Sequence, residues 1–123
     1  MASMLAACGA AAASAPEEQS ALDRRWSHTD TVLQLTFTAV TAYDWAQTRT
    51  FLREESWEES NPILGKRPSR AKVNVLIGGA IVGHAAVAWL LPKPFRTQWQ
   101  VLFIAVEGLA VRNNHLMGVR VQF

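Results

Sequence analysis

The stretch VNVLIGGAIVGHAAVAWLL, residues 73–91, stands out in the 123-residue sequence because it is long, apolar and free of charged side chains. At about 1.5 Å per residue, such a helix is roughly 28 Å long, close to the ~30 Å hydrocarbon core of a bilayer. A helix that is apolar on every face needs lipid or a large protein core around it, and a chain of this size forms only a small core. The stretch therefore predicts a membrane span. The open alternative is the core helix of a soluble helical bundle.

The composition allows one domain and excludes several function classes. The formal net charge is +2 and the basic residues are scattered, which argues against a nucleic-acid partner. The single cysteine excludes an internal disulfide and a metal site built from several cysteines. The sequence contains no HExxH, no CxxC, no phosphate loop and no nucleophile elbow. We therefore expect a non-enzymatic protein with no catalytic residue, no cofactor and no metal.

The first twenty residues predict an anchor or a tether. The tetrapeptide Leu5-Ala6-Ala7-Cys8, followed by Gly9, resembles the lipobox of bacterial lipoproteins, in which the cysteine becomes the lipidated first residue of the mature chain. The segment ahead of Cys8 is short and has no Lys or Arg, so an Ala-rich disordered tail is the alternative. Residues 1–20 are thus set apart from a single helical membrane domain at residues 21–123.

Three apolar segments predict three long helices, at about residues 21–53, 70–91 and 95–117. Ser20 and Ser69 are candidate N-caps of the first two helices, and Pro92 and Pro94 end the second. The first helix contains TVLQLTFTAVTAYDWAQTRTFL, residues 31–52, which is a second candidate span or a helix half buried against the other two. The last contains WQVLFIAVEGLAV, residues 99–111, which is short for a span unless the helix continues. The fold class is therefore all-α, a small membrane-associated bundle.

The polar connection at residues 53–72 contains turn chemistry and five of the twelve basic residues. Asn61, Pro62 and Gly65 predict a turn, because a residue before proline leaves the α region and glycine accepts positive φ. On one side of a three-span bundle lie Arg53, Lys66, Arg67, Arg70, Lys72, Arg112 and Arg120, and on the other Arg24, Arg25, Lys93 and Arg96. This bias places the N-terminus outside the cytoplasm, as lipidation of Cys8 also requires.

Polar side chains inside the apolar segments are the candidate functional residues. They are Asp44, Thr48, Arg49, His84, Glu107 and Asn113. Ionisable groups at membrane depth usually face the bundle interior and pair with one another. One hypothesis is a proton relay or metal site formed by Asp44, His84 and Glu107. The other, which we favour, is structural pairing of Asp44 with Arg49 and of His84 with Glu107.

Small residues in residues 73–91 predict close helix packing. Gly79 and Gly83 form a GxxxG pair, a motif of helix contacts in apolar segments. The partner is either a helix of the same chain or one of a second copy.

Three segments carry a resemblance to a known group of proteins. Asp44-Trp45-Ala46-Gln47-Thr48-Arg49, Asn61-Pro62-Ile63-Leu64-Gly65 with Pro68, and Ala105-Val106-Glu107-Gly108 resemble a group of uncharacterised small proteins of bacteria and their phages. The resemblance runs from about Trp26 to the C-terminus. Members look like short helical membrane proteins, often with a lipobox. The resemblance implies this architecture and no particular reaction.

The sequence thus predicts a small membrane protein of the bacterial envelope, in the inner membrane. Its expected partners are membrane lipid and, through its helices, a second copy or a larger membrane protein. The alternative is a proton or ion carrier or channel component that uses Asp44, His84 and Glu107. A soluble helical bundle is the third hypothesis.

Overall fold

The computed structural model describes residues 20, 23–53, 58, 62–119 and 121. These residues form three long helices, α1 (His28–Phe51), α2 (Arg70–Leu90) and α3 (Lys93–Leu116), and no strand. The prediction of an all-α bundle of three helices is confirmed for this part of the chain. Cys8, the lipobox-like segment and Asn61 lie outside the described residues.

The helix ends follow from local side-chain chemistry. Ser27 is the N-cap of α1, where it forms a capping box with Asp30, so the long helix begins later than the expected Ser20 cap. The Ser69 side chain accepts a hydrogen bond from the Lys72 backbone and caps α2. Pro92 occupies the N-cap position of α3, so only Leu91 and Pro92 separate α2 from α3. This short connection makes the two helices antiparallel.

Glycine permits the turns at the opposite end of the bundle. Gly65 has a φ of 78° and Gly118, just beyond α3, a φ of 88°, in the left-handed region that other residues rarely adopt. Pro62, in the turn ahead of Gly65, is exposed, whereas Leu64 is buried. The Lys72 Nζ atom donates a hydrogen bond to the Leu64 carbonyl at 2.8 Å. The turn is thereby attached to the first turns of α2.

The helices differ in how much of their surface the bundle covers. α1 packs mainly against α3, and α2 lies beside this pair with fewer contacts. Only Val73, His84 and Ala88 of α2 are buried, although α2 is the most apolar helix. The hypothesis of a soluble bundle placed this helix in the core, whereas the structure places it at the periphery of the single chain.

Candidate functional site

Polar side chains line the interior of the bundle along α1 and α3. On α1 they are Asp30, Gln34, Thr41, Asp44, Gln47 and Thr48, and on α3 they are Arg96, Gln100, Glu107 and Asn114, all buried or half-buried. Their spacing of three, four or seven residues keeps each set on one helix face. We call these two polar faces together the polar stripe. It divides into three groups of residues, one at each end of the bundle and one in its middle.

Arg96 organises the end of the bundle where α1 and α3 begin and α2 ends. The side chain is fully buried, and each of its five N–H groups has an acceptor. The acceptors are the carbonyl oxygens of Ala88 (2.7 Å), Leu91 (3.0 Å), Arg24 (2.9 Å) and Arg25 (3.0 Å) and the Oδ2 atom of Asp30 (3.0 Å). The guanidinium also lies 5.3 Å from the centre of the Trp26 ring. We call Arg96, Asp30 and Ser27 the arginine node.

The arginine node joins all three helices. Carbonyl groups in the last turn of a helix have no partner within that helix, and Arg96 satisfies those of Ala88 and Leu91 at the end of α2. The Asp30 Oδ2 atom accepts hydrogen bonds from Ser27 N and Oγ, both at 2.7 Å, besides the ion pair with Arg96. Gln100 donates to the Asp30 carbonyl at 3.0 Å. Each charge in the node is therefore compensated, which is the condition for burying an ion pair without a large penalty.

His84 occupies the middle of the interior. Its ring stacks on Phe37 with centroids 3.8 Å apart and on Trp99 at 5.8 Å. The Nδ1 atom lies 2.8 Å from Gln34 Oε1, and because a carbonyl oxygen only accepts, the proton of this pair is on Nδ1. His84 therefore pairs with Gln34, whereas the sequence hypothesis paired it with Glu107.

Several polar atoms of the bundle interior, on His84, its neighbours and Gln100, have no hydrogen-bond partner within the described residues. They are Nε2 of His84, Nε1 of Trp99, Nε2 of Gln34 and Oε1 of Gln100. The histidine Nε2 is an acceptor in this tautomer and the tryptophan Nε1 a donor. Such a combination suits one or two buried water molecules, which satisfy otherwise unpaired polar groups in protein interiors.

A cavity of about 380 Å³ occupies the other end of the polar stripe. Its polar wall consists of Thr41, Asp44, Thr48, Glu107, Asn113 and Asn114 from α1 and α3. Leu64, Leu76 and Ala80 belong to its apolar wall, which the turn and α2 provide. This volume, which we call the acidic cavity, is partly open to the surroundings.

Asp44 and its neighbours form a hydrogen-bond network at the base of the acidic cavity. The Asn114 side-chain amide donates to Asp44 Oδ1 at 2.8 Å and to Gln47 Oε1 at 3.4 Å. Gln47, fully buried, donates to the Val111 carbonyl at 3.5 Å. These bonds hold the Asp44 carboxylate against α3. The Thr41 hydroxyl, also buried, has no hydrogen-bond partner within the described residues.

The structure brings four of the predicted site residues together and separates two. Asp44, Thr48, Glu107 and Asn113 all line the acidic cavity. Arg49 instead lies over the Trp45 ring, 5.0 Å from its centre, and His84 belongs to the middle group. The described residues contain no cluster of three or more His, Cys, Asp or Glu side chains suited to a metal ion.

Gly79 and Gly83 face away from the bundle. Both are exposed, and a Cβ atom added at either position has nothing within 4 Å. The GxxxG pair therefore makes no close contact with α1 or α3, and the packing within the chain that the motif allowed is not observed. Contact with a second copy stays a prediction.

Sequence reasoning missed the arginine node. Arg96 enters the prediction only as one of the four basic residues on one side of the bundle, and Asp30 is not among the candidate residues. Two signals mark these residues. Ser27 and Asp30 have the spacing of a capping box. Arg96, Gln100, Glu107 and Asn114 recur at intervals of four and seven residues, a helical spacing that indicates a polar face along the last helix.

Comparisons of the chain with protein families, with curated proteins and with solved structures gave no match.

Proposed function

We propose that the chain is a non-enzymatic membrane protein whose bundle lies in a lipid bilayer and acts through helix association. The observation that carries this proposal is the distribution of polarity. Fully buried side chains include Asp30, Gln47, Arg96 and Gln100, whereas large apolar side chains are exposed on every helix. The latter include Val32, Leu35, Val75, Val82, Leu90, Val101, Leu102, Val106 and Leu109. Charged side chains of water-soluble proteins are seldom fully buried and are then paired, whereas polar residues of intramembrane helices usually face the bundle interior.

The hydropathy of the three helices agrees with this distribution. Among the described residues, α2 alone has the length and the mean hydropathy, 1.8, of a membrane span. The means of α1 and α3 are lower because both helices contain more polar side chains, many of them on the inward face. Their exposed faces nevertheless lack charge along residues 31–43 of α1 and 97–111 of α3. Along these stretches the surface available to lipid is uncharged and rich in large apolar side chains.

Tryptophans and charges support an orientation in the bilayer. Trp26 and Trp89 stack with centroids 5.6 Å apart at the end that carries the arginine node, where an interfacial aromatic belt would lie. The basic residues at that end are Arg24, Arg25, Lys93 and Arg96. The opposite end has more basic residues, namely Arg53, Lys66, Arg67, Arg70, Lys72 and Arg112. The positive-inside rule then places the cavity end in the cytoplasm and the N-terminus outside the bacterial inner membrane.

Membrane embedding is tested by extraction and by cysteine labelling. In a Cys8→Ser background, Leu102→Cys places a thiol on the outer face of α3 and Lys93→Cys places one at its exposed start. We expect the protein to stay in the pellet after an alkaline carbonate wash. A membrane-impermeant maleimide should label Lys93→Cys from one side of vesicles, and Leu102→Cys only after detergent is added. Release by carbonate with equal labelling of both positions would overturn the proposal.

The glycine face of α2 supports association with another helix. Gly79 and Gly83 lie on the exposed surface, and small residues there allow a second backbone to approach closely. Because nothing lies within 4 Å of an added Cβ, Gly79→Leu leaves the single chain undisturbed. We expect crosslinked dimers for the wild type and for the control Leu35→Met, on the exposed surface of α1, and their loss in Gly79→Leu. Monomers in all three proteins would contradict self-association.

A second candidate function, as a proton or ion carrier, is favoured by the acidic cavity alone. Asp44 and Glu107 share this cavity, whereas His84 is not among its lining residues. A relay through all three side chains therefore needs water between the middle group and the cavity. We expect Glu107→Gln to keep the fold and to abolish proton flux into liposomes if a carrier exists. Equal flux with both proteins would remove this candidate.

A further inference from the structure

The acidic cavity combines two features that point to a ligand. Asp44 and Glu107 place two carboxyl groups in one cavity, and like charges so placed favour a bound cation or a shared proton. The Thr41 side chain is 1% exposed, lines the same cavity, and its hydroxyl has no hydrogen-bond partner within the described residues. A buried hydroxyl without a partner costs free energy, which a ligand that donates to it would recover.

The lining determines the charge of that ligand. Neither Lys nor Arg is among the described residues that line the cavity, so its electrostatic character is set by the two acidic side chains. The side-chain amides of Asn113 and Asn114 add further oxygen acceptors, although Asn114 also donates to Asp44. A cation is the charge type that this set of oxygens stabilises.

Size and ligand chemistry narrow the class of cation. The cavity of about 380 Å³ greatly exceeds the ~30 Å³ share of a single water molecule, so it holds more than a bare ion. The described residues offer no set of three metal-binding side chains. No aromatic ring is among the described lining residues, whereas quaternary ammonium ions are bound by aromatic cages. The apolar wall of Leu64, Leu76 and Ala80 suits a short hydrocarbon body.

We propose that the acidic cavity binds a small primary organic ammonium ion. Its three N–H donors match the carboxylates of Asp44 and Glu107 and the free hydroxyl of Thr41, and its hydrocarbon part contacts the wall formed by α2 and the turn. The inference goes beyond membrane association and holds whether or not lipid surrounds the bundle.

The test uses the full chain in detergent micelles and n-butylammonium chloride as the probe. Calorimetric titration and the thermal unfolding midpoint measure binding, with tetramethylammonium, sodium, calcium and n-butanol as comparison solutes at equal ionic strength. We expect saturable binding and a raised midpoint with n-butylammonium only. If sodium or calcium binds saturably and n-butylammonium does not, the proposal is overturned in favour of a metal ion. If no solute binds saturably, the proposal is overturned outright.

Variants locate the binding to the cavity. Asp44→Asn and Glu107→Gln should each weaken n-butylammonium binding about tenfold or more, and the near-isosteric Thr41→Val by roughly threefold to tenfold. Ala80→Leu should block binding by filling the cavity, while Ala86→Leu, on the outer face of the same helix, should bind like the wild type. Circular dichroism checks that each variant keeps its helical content. Undiminished n-butylammonium binding by an Ala80→Leu protein that keeps its helical content would contradict the proposal. If the wild type does not bind n-butylammonium, the carbonate and labelling tests of membrane embedding are unaffected.

Discussion

The two ends of the polar interior differ in how completely their polar groups are satisfied. In the arginine node every N–H group of Arg96 has an acceptor, and Asp30 Oδ2 accepts three hydrogen bonds. At the acidic cavity, the buried Thr41 hydroxyl has no partner within the described residues, and Glu107 faces an open volume. A satisfied polar group contributes to stability, whereas a buried unsatisfied one costs stability. The node therefore holds the bundle together and the cavity is suited to binding.

The largest effect should come from breaking the arginine node. Replacing Arg96→Met removes five hydrogen bonds and leaves the Asp30 carboxylate buried without its counter-ion. Removing one partner of a buried ion pair costs about 3–5 kcal/mol. We expect the free energy of unfolding, measured by denaturant titration of helical content in micelles, to fall by this amount.

The exposed Lys93, at the same end of α3, provides the control. Lys93→Met should unfold like the wild type. A second comparison adds Asp30→Leu to Arg96→Met, which removes the unpaired carboxylate but still leaves the carbonyls of Ala88 and Leu91 without a donor. We expect only partial recovery, and full recovery would show that the ion pair alone matters.

A smaller effect is expected at the cap of α1. Ser27→Ala removes the hydroxyl that accepts from Asp30 N and donates to its carboxylate. Loss of an N-cap side chain costs about 1 kcal/mol, with values up to ~2 kcal/mol. The same denaturant titration measures it. Ser69→Ala removes the corresponding hydroxyl of α2, which within the described residues accepts one hydrogen bond, from Lys72 N, and should cost less. An equal loss in both variants would mean that the arginine node adds nothing to the cap.

At the acidic cavity, removal of a polar group should not destabilise the fold. Thr41→Val keeps the volume of the side chain and removes a hydroxyl that has no hydrogen-bond partner within the described residues. We expect the unfolding free energy to stay constant or to rise by up to about 1 kcal/mol. Thr48→Val makes the same chemical change on the same wall of the cavity, and its unfolding free energy is measured for comparison. A loss of more than about 1 kcal/mol in Thr41→Val would show that the hydroxyl is bonded in solution, and the contrast between the two ends would fail.

The smallest effect on stability is expected for an ion pair on the surface. Lys66 and Glu58 form an ion pair at 3.4 Å, but their side chains are 79% and 55% exposed. Exposed ion pairs contribute little because water and salt screen them. Lys66→Ala should unfold at the same denaturant concentration as the wild type. The measured difference between these two proteins gives the experimental error against which the other variants are judged.

Apolar segments and capping residues were sufficient to predict the three helices. Residues 73–91 coincide closely with α2, and Ser69 and Pro92 mark its ends as expected. The interior could not be predicted in the same way. Which residues meet depends on the rotation of each helix about its axis, and the sequence hypothesis paired Asp44 with Arg49 as two ionisable groups inside the apolar segments. The structure joins Asp44 to Asn114 on another helix.

The rotation of α2 about its own axis explains a second difference between the sequence prediction and the structure. Its glycines suggested the most closely packed face, yet His84 and Ala88 are the buried residues and Gly79 and Gly83 lie outside. A helix that is apolar on all sides gives no pattern from which its buried face can be derived. In α1 and α3 the inward face is marked by polar residues, which is the reverse of the rule for a soluble bundle. Arg96, Gln100, Glu107 and Asn114 were visible as such a pattern.

The position of Arg96 near the start of the last helix also has a consequence for biosynthesis. A ribosome completes α1 and α2 before it adds residue 96, so the nascent chain contains Asp30 and the terminal carbonyls of α2 before their shared donor exists. The two-helix intermediate cannot close this end of the bundle, and α3 completes it as it enters. The hydrogen bonds of the Arg96 guanidinium therefore form last during synthesis. A chain truncated ahead of Arg96 keeps this end of the bundle open and should be degraded by quality-control proteases.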